Sequence, residues 1–86
     1  MDVKQAVEQA KRLFMNVFGS EISEPPSLEE VWFDDRGDKK QWCVTLGVRR
    51  ASSPFAGLNL PEYKTVRVRD VDGELVAIRN REIALG

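Results

Sequence analysis

Residues 41–49, Gln-Trp-Cys-Val-Thr-Leu-Gly-Val-Arg, constrain the fold most. Trp42, Val44, Leu46 and Val48 fall on one parity. Gln41, Cys43, Thr45, Gly47 and Arg49 fall on the other. Side chains alternate across a strand, so the first set shares one apolar face and the second a small, mixed, polar face. Such a strand needs a cover on its apolar side, and the rest of the chain has to supply it.

The cover comes first in the sequence. Val3, Ala6, Val7, Ala10, Leu13, Phe14, Val17 and Phe18 recur at three-and-four spacing, the stripe of one helix. Asp2 can cap it, with Gln5 three residues on completing a capping box. Gly19 fits a left-handed stop just past the last apolar residue. Phe14 and Phe18 are expected deep against the sheet, with Ala6 and Ala10 allowing close approach. Pro25-Pro26 cannot continue a helix and carries the chain onward in extended form.

Three more strands follow. Residues 28–34 read as one, with Val31 and Phe33 toward the helix and Leu28, Glu30 and Trp32 on the far face. A bulge would alter that register. Asp34-Asp35-Arg36-Gly37-Asp38 is a polar hairpin turn into the strand at 41. It is not a calcium loop, because Trp42 and Cys43 follow where the terminal bidentate Glu would have to stand. Residues 62–70 form the next strand, with Val66 and Val68 inward and Tyr63, Thr65, Arg67 and Arg69 outward. Asp72-Gly73 is a strong turn signal, and residues 75–80 return with Val76 and Ile78 as the expected inward pair. Ile83 and Leu85 lie in a tail that can dock or extend that strand. The predicted architecture is α+β: one N-terminal helix on one face of a four-stranded antiparallel meander, in the order α-β-β-β-β, as a single domain over 1–86. The longest connection, residues 50–61, places Phe55, Leu58 and Leu60 among Ser, Gly and Pro. They either tuck over the core or present a contact surface.

The chain has 86 residues and a net charge of −1, so no global field steers it to nucleic acid or membrane. The charge is uneven. Residues 1–43 hold six Lys/Arg against nine Asp/Glu, and residues 44–86 hold seven against five. One cysteine excludes an internal disulfide. No apolar run approaches a membrane span, and the N-terminus starts a helix rather than a signal peptide, so the cytoplasm is the expected setting.

The hairpin at 63–76, ending Val71-Asp72-Gly73-Glu74-Leu75-Val76, together with the N-terminal helix and meander, resembles the PepSY family. The resemblance implies the same layout and a role in modulating peptidases.

The chemistry of catalysis is sparse. The chain has no histidine, which removes the commonest general base and the Ser-His and Cys-His pairs. One cysteine cannot build a zinc site. There is no phosphate loop or dinucleotide fingerprint. Glu29-Glu30 and Asp34-Asp35 are adjacent pairs, which a strand points to opposite faces. Cys43 is expected as a small half-buried filler, with Arg67 near enough to bear on its thiol. No enzyme activity, metal or cofactor is expected.

The residues instead suggest a binding face. The expected function is a non-catalytic protein-interaction domain. It would self-associate or bind a protein partner through the uncovered sheet face, with Trp32, Tyr63, Arg67 and Arg69, or through Phe55 and Leu58 of the 50–61 connection. A second reading is single-stranded nucleic-acid binding, with Trp32 and Tyr63 stacking on bases and Arg67, Arg69 and Arg79 holding phosphates. A third, an inhibitor or immunity-type partner of one target protein, differs from the first only in its target.

Overall fold

The apolar stripe and the alternating strand meet as their spacing requires. The structure, a computed structural model, describes residues 1–49 and 62–81. The helix α1 spans Val3–Phe18, and strands β1 (Ser27–Asp34), β2 (Gln41–Val48), β3 (Glu62–Arg69) and β4 (Leu75–Asn80) follow. They form one antiparallel sheet in the order β1-β2-β3-β4. This is the α+β meander expected from the sequence.

Asp2 caps α1. Its carboxylate accepts from Gln5 N at 2.8 Å while Asp2 N donates to Gln5 Oε1 at 2.9 Å, so two orphan donors are satisfied reciprocally. Ala6, Ala10 and Phe14 are buried on the sheet side. Ala10 and Phe14 meet Val44, Leu46, Val48, Val66 and Val68, and Val7, Leu13, Phe18, Val31, Leu75 and Ile78 pack around this cluster. Burying a side chain such as Phe14 or Leu46 contributes about 1.5–3 kcal/mol. Phe18 is only half-buried, its ring 5.2 Å from that of Phe14. Val3 and Val17 stand half in water, so the buried stripe is narrower than the apolar one.

Gly19 departs from expectation. Its φ is −56°, not left-handed, and the helix runs on into a 3₁₀ turn at Gly19–Glu21. That tighter turn delivers Ile22 to the edge of the core, where it packs. The left-handed glycines lie instead in the hairpins: Gly37 at φ 82° between β1 and β2, and Gly73 at φ 72° between β3 and β4.

Two bulges also shift the expected register. In β4, Arg67 faces Ala77 while Val68 faces Leu75, leaving Val76 unpaired between them. Leu75 and Ile78, not Val76 and Ile78, are therefore the inward pair, and Val76 is exposed. In β1, Leu28 faces Leu46 while Glu30 faces Thr45, so Glu29 is the extra residue. Leu28 thus joins the helix-side parity rather than the far one. Beyond the bulge the register holds, with Val31 opposite Val44, Trp32 opposite Cys43 and Phe33 opposite Trp42.

A candidate binding groove on the sheet face opposite the helix

The face away from α1 is laid out in cross-strand rows. One row runs Glu30, Thr45, Thr65, Arg79. The next runs Trp32, Cys43, Arg67, Ala77. Neighbouring rows on one face are two residues apart, about 6.7 Å. Thr45 and Cys43 are fully buried although no second layer of secondary structure covers them among the described residues. Long side chains from the neighbouring strands form the roof.

Arg81 is one part of it. Its backbone N–H donates to Tyr63 O at 2.9 Å, which extends the β4 pairing by one residue. Its guanidinium crosses the sheet, donates to Thr45 Oγ1 at 3.2 Å and pairs with the Glu30 carboxylate. The Thr45 and Thr65 hydroxyls lie 3.0 Å apart beneath it. Arg67 covers the next row. Its guanidinium lies 5.8 Å from the centre of the Trp32 ring and donates to Asp34 Oδ2 at 3.5 Å and Gln41 Oε1 at 3.4 Å. Asp34 is held mainly by Arg36, whose side chain and backbone N–H both donate to it at 3.1 Å. Those bonds, helped by the Arg36 charge and by Arg67, lower the Asp34 carboxyl to about 2.

Between these straps runs a groove of about 410 Å³, lined by Glu30, Trp32, Thr65, Arg67, Arg79 and Arg81; the Asn80 side chain turns to the other face, where it accepts from Lys64 Nζ. Three guanidiniums face one lining carboxylate. Arg79 is exposed and makes no ion pair among the described residues. Trp32 is half-buried.

The residues singled out in the sequence separate on this face. Trp32 and Arg67 come together in the groove. Arg69 does not join them; it pairs with Asp72 at 3.0 Å in the β3–β4 turn. Tyr63 lines a different hollow, with Ser27, Glu29, Gly47 and Arg49. It faces Gly47, four residues along β2 from the Cys43 that faces Trp32. That places Tyr63 about 13 Å along the strands from Trp32 and about 10 Å across them. Phe55 and Leu58 lie outside the described residues, as do the 50–61 connection and the 82–86 tail. Cys43 is more buried than expected, and burial pushes its thiol up against the opposing pull of Arg67.

Sequence reasoning missed Arg81 and Glu30 as parts of the groove. The signal was there for Arg81, since Ala77, Arg79 and Arg81 share a parity that continues past the strand's end. The sequence places Glu30 on the far face but gives it no partner, because Arg81 arrives from three strands away. Among the described residues no group of His, Cys, Asp and Glu could hold a metal ion, and no helix is long and apolar enough to cross a membrane. Comparison with protein-family models, curated proteins and solved structures returned no match to this chain.

Proposed function

We propose that this chain is a non-catalytic interaction domain that receives a protein partner on the sheet face opposite α1. The observation that carries the reading is the composition of the groove: a half-buried Trp32 capped by the Arg67 guanidinium, with Arg79 and Arg81 beside it. Trp and Arg are the residue types that most often dominate binding energy at protein interfaces. The hairpin that resembles PepSY domains supports the same sense, a domain that acts on another protein.

Two features weigh for a protein over a nucleic acid. Base stacking on Trp32 would have to compete with Arg67, and Tyr63 is too distant to hold a neighbouring base. A phosphate backbone also needs a continuous track of cations. Here Glu30, Asp34 and Asp72 each sit on an arginine. A catalytic role lacks both histidine and an accessible thiol, since Cys43 is buried with its thiolate disfavoured. A reducing, cytoplasmic setting belongs to the same reading.

A photo-crosslinker placed at Ala77, on the same face and in the same row as Trp32 and Arg67, tests it. In lysate of the cells that express the domain, protein adducts should form from position 77, not from exposed Lys4 on the helix, and Arg79→Glu should remove them. With purified protein, an adduct between two copies, accompanied by a mass that rises with concentration, would identify a second copy as the partner. Nuclease-sensitive adducts, or equal adducts from both positions, overturn the proposal.

A further inference from the structure

Resting on that reading, we infer that the groove takes an extended acidic segment of the partner, whose carboxylate displaces Glu30 from Arg81. The Arg81 guanidinium is positioned before any ligand arrives: its backbone is tied to Tyr63, its side chain donates to Thr45, and Thr45 is fixed against Thr65. Glu30 is the replaceable member of the arrangement. It lies on an outer strand next to the Glu29 bulge, and its side chain is 43% exposed. An exposed ion pair of this kind is weak, so one carboxylate exchanges for another at little cost. Glu30 thus stands where a ligand carboxylate would stand.

The second anchor is Arg79, which has no carboxylate among the described residues. It lies one row from Arg67 on the same face. An extended chain repeats its same-side side chains every two residues, the same interval as the rows of the sheet. Carboxylates at alternate positions of such a segment therefore meet Arg79 and Arg67 in turn, and a carboxylate suits the planar fork of a guanidinium. The lining has three cations against one carboxylate, so an anionic segment completes its charge.

The test is fluorescence anisotropy with a labelled peptide of alternating Glu and Ser, against a Gln-Ser peptide and an oligothymidylate of the same length. The acidic peptide should bind in low salt and the Gln-Ser peptide should not. Glu30→Gln should tighten binding about two- to fivefold and Arg79→Ala should weaken it by a similar factor. Glu8→Gln removes the same charge on the helix layer and should change nothing. If the acidic peptide binds but Glu30→Gln does not tighten it, the displacement fails and the interaction reading stands. If the peptide does not bind while position 77 still cross-links a protein, the acidic ligand class fails alone. Tighter binding of the oligothymidylate overturns both.

Discussion

Glu29 and Gly47 contend for one space: a Cβ at Gly47 would lie 2.8 Å from Glu29 Oε1 and 2.9 Å from Ser27 Oγ. The β1 bulge brings Glu29 over β2, where Ser27 donates to its carboxylate at 2.9 Å. A glycine in a strand costs packing and entropy, and here it is the space it leaves that is used. Gly47→Ala should destabilise by about 1 kcal/mol, because the Glu29 carboxylate must swing away. Glu29→Ala in the same chain should recover most of that. A double-mutant cycle by urea unfolding measures the coupling, and additive losses would show that the two residues do not compete.

Phe14 decides whether the two layers hold together. It is the largest fully buried side chain among the described residues, and Phe14→Ala should cost about 3–5 kcal/mol. A domain of this size has about 4–13 kcal/mol in all, so the variant should lose a large share of its stability and melt well below the parent chain. Val17, 53% exposed on the same helix, should tolerate alanine within about 0.5 kcal/mol. Thermal melts followed by circular dichroism separate the two. Equal losses would contradict the packing of α1.

Acid should unfold the protein through two aspartates. Asp34 is lowered from an ordinary 3.8 to about 2, chiefly by Arg36. Asp70 is lowered first by the Trp42 indole, whose Nε1 donates to Oδ1 at 2.7 Å, and then by the Met1 amine at 3.2 Å. A carboxyl depressed in the folded state stabilises fully above its unfolded value and loses that contribution as pH falls through the folded one. Between pH 4 and 2 the unfolded chain binds more protons, so stability must fall with pH in that window. Urea midpoints measured across it should drop steadily. Asp34→Asn and Asp70→Asn should each flatten the slope, and an unchanged slope in both would refute the assignment.

Cys43 should be inert while the fold is intact. It is fully buried beneath the Trp32–Arg67 row, and burial raises its thiol. Modification by an aromatic disulfide reagent at pH 8 should be at least about a hundredfold slower in native buffer than in denaturant. Comparable rates would mean that the Arg67 strap opens freely.

How far the sequence could be read depended on where backbone irregularities lie. α1 and β2 were legible because their patterns are uninterrupted: Ala10 and Phe14 against Val44 and Leu46 follow from spacing alone. Leu28 and Val76 were misplaced because a bulge changes parity without changing composition. In Leu75-Val76-Ala77-Ile78 every residue is apolar, so alternation could not say whether Leu75 or Val76 turns inward. Trp32 and Arg67 were found because both lie on regular strand positions. The Glu30–Arg81 strap joins residues 51 apart in sequence through a side chain longer than the strand spacing, and no local pattern encodes that.

The two bulges have a consequence for how the molecule keeps to itself. An open sheet exposes backbone donors and acceptors along its first and last strands, which invites another chain to add on. Here β1 is interrupted at Glu29 and β4 at Val76, so each border is kinked where a flat template would be needed. Lateral growth into fibrils is blunted on both sides, and the proposed recognition is left to the broad surface between them.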